Sequence, residues 1–262
     1  MSTGKWIAGH ATGHTSATAG GGQLSRQIVE RSPRALARIA GLWYLLLAVC
    51  AYFTFFVDST LYVSGDAVAT AAKILARTSL FRLGIVSDLV GEAGFLFSGL
   101  AFYRLFASVD GHQARTLLAV VVASVPIAFL VTLNKFAPII LLGDAGFLKA
   151  FEPAQLQALA MLFIELQKYG ILIVSVFWGL WLLPLGILAY KSGFFPRIFG
   201  VLLIVNFASY MVNEFLAFLF PEAKQLIAPV MTVLLAIGEI PFLFWLLIRG
   251  ARNTERAQYG PQ

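Results

Sequence analysis

Residues 80–106 read LFRLGIVSDLVGEAGFLFSGLAFYRLF, an apolar run of membrane-spanning length that carries Asp88 and Glu92 inside it. An ionised side chain at bilayer depth costs at least about 2.5 kcal/mol, so such residues face a bundle interior or a wet cavity. At positions i and i+4 the two carboxylates share one helix face. Gly84, Gly91, Gly94 and Ser98 offer small surfaces on which neighbouring helices can close. This helix is therefore expected at the centre of a bundle.

The rest of the composition agrees. Of 262 residues, 59% are hydrophobic and only 12% charged, against about 25% charged in soluble domains. The net charge of +6 comes from basic residues clustered at helix ends, where membrane topology accounts for them and nucleic acid is not needed. Cys50 is the only cysteine, so no intramolecular disulfide can form, and it reads as a buried structural thiol.

Working outward, six spans are expected, at about 39–57, 80–106, 116–142, 153–189, 196–220 and 226–248. The first reads as a plain anchor ending at Asp58. A short interfacial helix should follow it, capped by Asp66 and presenting Val68, Ala71, Ile74 and Leu75 on one side. Pro126 and Pro138 should kink the third span. Pro153 should open the fourth at its first turn, and Trp181 fits an interfacial belt. Gly193 should cap the fourth span's end. The fold class is thus an all-α polytopic bundle of six transmembrane helices. Three regions divide the chain: a flexible polar extension over 1–33, the membrane domain over 34–250, and a short basic tail over 251–262. His10 and His14 lie four apart in the extension, but the surrounding glycines argue against a metal-holding helix.

Loop charges give the orientation. With the N-terminus in the cytoplasm, the inner side holds Arg26, Arg31, Arg34, Arg38, Arg104, Arg115, Lys191, Arg197, Arg249, Arg252 and Arg256; the outer holds Lys73, Arg77, Arg82, Lys149 and Lys224. That bias places both termini inside a bacterial cytoplasmic (inner) membrane.

Several strings carry a family likeness. Ala37-Arg38-Ile39-Ala40-Gly41-Leu42, Phe81-Arg82-Leu83-Gly84, Phe151-Glu152-Pro153, Leu182-Leu183-Pro184-Leu185-Gly186, and Tyr190-Lys191-Ser192-Gly193-Phe194 through Pro196-Arg197 resemble a family of bacterial six-helix membrane proteins known only as a domain of unknown function. The resemblance spans about residues 34–250. It implies the six-helix fold and no activity or catalytic residue. Lys135 and Lys168 depart from its pattern, which carries a neutral polar residue near the first and a His-like residue near the second.

Depth along the spans brings Asp88, Glu92, Lys135, Glu165, Lys168 and Glu214 toward the outward half, with Glu239 deeper. Five carboxylates exceed two lysines, so some must be protonated, hydrated or engaged with a cation. Two readings follow: a polar cavity for a solute, ion or lipid, or ion pairs that fix helix register. All three histidines lie outside the spans, and no His-Glu-x-x-His, Gly-x-Ser-x-Gly or phosphate-loop pattern occurs. Asp88 and Glu92 sharing a proton is the one catalytic option, and a wet lining is the commoner use of such neighbours. No cofactor is named by the sequence. The lipid bilayer is the evident partner, and the N-terminal extension offers a contact for another membrane subunit.

Overall fold

A computed structural model describes residues 32–252, so the extension over 1–31, with its two histidines, and the tail beyond Arg252 lie outside the described residues. The described chain is helical, without strands: α1 (Pro33–Leu61), α2 (Ala67–Ala76), α3 (Thr78–Phe106), α4 (Gly111–Leu133), α5 (Phe136–Leu141), a 3-10 turn (Gly146–Ala150), α6 (Pro153–Leu180), α7 (Leu182–Lys191), α8 (Arg197–Leu219) and α9 (Pro221–Ile248). Five stretches are long and apolar enough to cross a membrane: Pro33–Leu61, Thr78–Phe106, Gly111–Leu141, Pro153–Lys191 and Arg197–Leu219. The protein is thus a multi-pass membrane protein. In α9 the described residues give a shorter apolar stretch, Ala236–Ile248, below that length. Large apolar side chains such as Leu42, Tyr52, Phe56, Leu130 and Ile173 face outward, as a lipid environment permits.

α3 is central, and its glycines are the reason. A Cβ on Gly84 would stand 3.0 Å from Val57 of α1, and one on Gly91 would stand 3.1 Å from the Cys50 Cβ. Farther along α3, a Cβ on Gly99 would stand 2.8 Å from Val121 of α4. Bare backbone at these points lets α1 and α4 approach closely, which is how helices gain packing where lipid removes the hydrophobic drive. Ser87 Oγ adds a bond to the Cys50 carbonyl at 3.0 Å. α1 is consequently a packed wall of the bundle, not a plain anchor, and it runs four residues past the expected end at Val57. Cys50 itself is only half-buried.

Two apolar clusters stack along the bundle. One, near the Lys191 end, gathers Phe102, Phe106, Phe195, Phe242 and Trp181; the other, near Leu61, gathers Val57, Ile74, Phe81, Ile85 and Ile164. Trp181 is only 2% exposed and stands edge-on to Tyr44 and Phe95, with centroids 5.4 and 5.0 Å away. The expectation that it belongs to an interfacial belt is therefore corrected: its ring fills the core. α2 forms where expected, with Asp66 accepting from the Ala69 N–H at 2.8 Å. Its buried face is Thr70, Ala71 and Ile74, whereas Val68 and Leu75 point outward, because α2 lies across α6 on a narrower stripe than the sequence pattern implied.

One end of the bundle is stitched shut. Lys191 Nζ donates to Asp110 Oδ2 at 3.0 Å, while Asp110 Oδ1 caps α4 by accepting from the Gln113 N–H at 3.1 Å. The Gln113 N–H, with Lys191 adding to it, holds the Asp110 carboxyl below the usual carboxylate range. Arg38 donates to the Ile248 carbonyl at 3.2 Å, and the Arg252 N–H to the Phe194 carbonyl at 3.0 Å. The described C-terminal residues therefore sit beside the start of α1.

Candidate functional site

The site begins with a break in a helix. Pro138 has no N–H to give the Asn134 carbonyl, and its ring crowds that carbonyl. The chain turns there: the Lys135 N–H bonds the Thr132 carbonyl at 3.0 Å, and Ala137 takes up the Asn134 carbonyl at 3.3 Å. Asn134 Nδ2 donates back to the Leu130 and Val131 carbonyls, the local competition with helix that this side chain favours. Lys135 occupies the corner and its side chain enters the bundle.

There the ammonium meets two carboxylates. Lys135 Nζ lies 3.1 and 3.0 Å from the two oxygens of Asp58, at the end of α1, and 2.9 Å from Asp88 Oδ2 on α3. Lys135 is 1% exposed, Asp58 19% and Asp88 18%. The lysine is thus a three-helix clasp whose carboxylates keep an edge toward open space. Asp58, which the sequence reading treated only as the end of a span, is a partner that reading missed.

The open space is a cavity of about 460 Å³. α1 faces it with Tyr44, Ala48, Ala51, Thr54 and Asp58, and α3 with Ser87, Asp88, Gly91, Glu92 and Phe95. α6 contributes Gln167, Ile171, Val174 and Trp178, a stripe at helical spacing. Trp181 follows on the same stripe, its N–H on the Phe177 carbonyl at 3.1 Å, and α6 ends just before it, where Pro184 denies an N–H to the Leu180 carbonyl. α4 adds Ala128 and Thr132, α8 Tyr210 and α9 Glu239. Tyr44 to Asp58 is fourteen residues of α1, so the cavity reaches about 21 Å along the bundle.

At the far end from Lys135, Glu239 accepts from the Tyr44 hydroxyl on Oε2 and from Asn206 Nδ2 at 3.0 Å on Oε1. Gly238, whose Cβ would stand 2.7 Å from the Asn206 side chain, allows that approach of α8 to α9. Between the two ends lies Glu92. It is 7% exposed, and its Oε2 is buried with no hydrogen-bond partner among the described residues. Gln167 Oε1, on a side chain 3% exposed, is in the same condition.

The seven residues singled out from sequence fall into three groups. Asp88, Glu92 and Glu239 line the cavity and Lys135 holds its rim. Glu165 and Lys168 pair with each other at 2.6 Å on the outside of α6, 40% and 39% exposed, away from the cavity lining. Glu214 is buried on α8 and accepts from Asn213 Nδ2 at 2.9 Å, also outside the lining. Tyr44, Gln167, Trp181 and Tyr210 were not anticipated. Helical spacing of Gln167 with Ile171, Val174 and Trp178 was the signal available for the α6 wall. No group of three or more His, Cys, Asp or Glu placed to hold a metal ion occurs among the described residues.

Comparison with known proteins gives a family and no chemistry. The family described as a domain of unknown function (DUF4386) matches residues 39–250. An uncharacterised protein of the archaeon Archaeoglobus fulgidus is 33% identical over 80 residues, which cover 30% of this chain and 46% of that relative. The chain thus matches about half the length of that curated relative. No solved structure matches.

Proposed function

The chain belongs to the family described as a domain of unknown function, DUF4386, and we propose that it is a non-catalytic solute-binding or transporting protein of the cytoplasmic membrane. The observation that carries this reading is the cavity itself, lined from α1, α3, α4, α6, α8 and α9, with the unpartnered Glu92 carboxylate in its wall. Space of this size with a few convergent polar groups is the usual form of a small-molecule site. A pure register device needs paired charges and no such space. In this reading Asp88, Glu92 and Glu239 form the binding lining with Lys135 at its rim, while Glu165, Lys168 and Glu214 contribute to the bundle beyond it.

The bundle crosses the membrane six times, with both termini in the cytoplasm and the Lys135 end of the cavity toward the outside. The basic residues Arg34, Arg38, Arg104, Arg115, Lys191 and Arg197 at one end of the described bundle support that orientation. The return of α9 to the start of α1 supports an even number of crossings. Native mass spectrometry tests the binding reading. The wild-type protein should retain a non-lipid small molecule, and Ala128→Phe, which fills the cavity, should release it while remaining folded, with no more loss of thermal stability than removal of the ligand itself brings. Retention by both proteins, or by neither, would count against a solute site here.

A second reading has one observation in its favour. The Glu165–Lys168 pair stands half-exposed about 18 Å along α6 from Pro153, at a depth where lipid offers it nothing. A polar helix of another subunit would cover it, making the protein an accessory component of a larger assembly.

A further inference from the structure

Resting on the solute-binding reading above, we propose that the cavity takes an organic cation: an ammonium-type head carried on an apolar or aromatic body. Three features converge on that class. The first is the sign of the charge. Four carboxylates, Asp58, Asp88, Glu92 and Glu239, line the cavity, and the nearby ammonium, Lys135, is already shared between Asp58 and Asp88. Glu239 is bonded by Tyr44 and Asn206. Glu92 is left to the occupant.

The second feature is the hydrogen-bonding character of the unmet groups. Glu92 Oε2 and Gln167 Oε1 are both oxygen acceptors, on side chains more than nine-tenths buried, on opposing helices α3 and α6, and both residues face the cavity. A buried acceptor without a donor is costly. An anion or an acceptor-rich solute would leave both oxygens unmet, whereas a cationic head satisfies them together. The third feature is the wall. Trp178 and Trp181 lie on the same helix line as Gln167, with Phe95 and Tyr44 across from them. Aromatic faces beside a buried carboxylate attract a cation through the ring quadrupole and shelter its carbon skeleton. A bare metal ion fits less well, since the described acidic residues are not clustered as ligands, and about 460 Å³ is far more than an ion requires.

The probe is protonated benzylamine at neutral pH, whose primary ammonium head brings both the charge and the N–H donors that the unmet oxygens need, compared with uncharged phenyl carbinol (benzyl alcohol) and anionic benzylsulfonate, which share its benzyl group. Binding to the full-length protein in nanodiscs is measured by calorimetry and by quenching of tryptophan fluorescence. The ammonium compound should bind at least about tenfold more tightly than the carbinol, a difference of about 1.4 kcal/mol, and the sulfonate should not compete. Glu92→Gln, of the same shape without the charge, should remove that preference while thermal unfolding shows it folded. If Glu92→Gln fails to fold, the comparison of the three probes on the wild type decides alone. Tighter binding of the carbinol or the sulfonate would overturn the cation assignment and leave the solute site standing. An unchanged preference in folded Glu92→Gln would overturn the role of Glu92. Binding of none of the three up to millimolar concentration would overturn the cation assignment, and the native mass spectrum then decides separately whether any solute site remains.

Discussion

Replacing Lys135 alone by Met should destabilise the protein far more than replacing the whole charged group. The ammonium is 1% exposed and lies within 3.1 Å of three carboxylate oxygens on two other helices. Removing one partner of a buried ion pair costs about 3–5 kcal/mol, chiefly because a buried charge is left uncompensated. Here two carboxylates are abandoned, but Asp58 and Asp88 keep 19% and 18% exposure and line a cavity. Water reaching them recovers part of the loss, which places Lys135→Met near the lower end, about 3 kcal/mol. In a chain of this size that is roughly 6–12 °C in Tm. Lys135→Met with Asp58→Asn should recover only part of the shift, since Asp88 stays charged and unpaired. Adding Asp88→Asn should bring the protein back to within about 1 kcal/mol of wild type, because well-packed neutral groups often replace a buried ion pair at little cost. The assay is thermal unfolding of purified protein in one detergent at one scan rate, followed by tryptophan fluorescence. A single variant as stable as wild type, or a triple variant no better than the single, would refute the argument that the ammonium holds these charges in place.

Asp110 should give an acid-dependent stability of its own. Its carboxyl is held below the usual range by the Gln113 N–H and then by Lys191, so the contribution is fully present above the unfolded aspartate value of about 3.9 and is lost as pH falls through the lower folded value. Asp110→Asn keeps the cap and removes the charge, so its Tm should fall less steeply than that of wild type between about pH 4 and pH 2; parallel curves would remove Asp110 as the source. For topology, reporters fused after Arg252 and inserted within residues 144–149 should report opposite sides of the membrane, and finding both on one side would overturn the orientation drawn from the loop charges.

The parts of this protein that were legible in its sequence are those set by local rules. Span lengths follow from hydrophobic runs, α2 from Asp66 as its cap, the central place of α3 from glycines meeting Val57, Cys50 and Val121, and the start of α6 from Pro153. The site was half legible, and the reason is distance along the chain. Asp58 lies 77 residues from Lys135, at a span's end where a charge is unremarkable, so nothing local marks it as a partner. Glu165 and Lys168 sit at a depth that suggested the cavity, but depth fixes only one coordinate, and helix rotation turns them outward. Trp181 failed for a similar reason. Its place near a span's end is what an interfacial tryptophan would have, and only the packing of α1, α3 and α6 puts its ring in the core.

A local rule nonetheless connects two of the residues that shape the cavity. Lys135 precedes Pro138 by three residues, and Trp181 precedes Pro184 by three. In each case the proline deprives the carbonyl four residues back of its donor, and one helix gives way to the next at the residue just past that carbonyl. Trp181 keeps helical backbone, its N–H on the Phe177 carbonyl and its own carbonyl on the Leu185 N–H, so its indole continues the inward stripe of Gln167, Ile171, Val174 and Trp178; at Lys135 the chain tightens onto the Thr132 carbonyl and the ammonium enters the bundle. Proline alone is not sufficient, since Pro126 lies within α4 with no break. At Pro138 the difference is Asn134, whose amide bonds the carbonyls behind it and competes with the continuing helix. The cavity's Lys135 end is therefore written locally as Asn-Lys-x-x-Pro, and what the sequence leaves to the tertiary fold is the pair of aspartates that the lysine finds there.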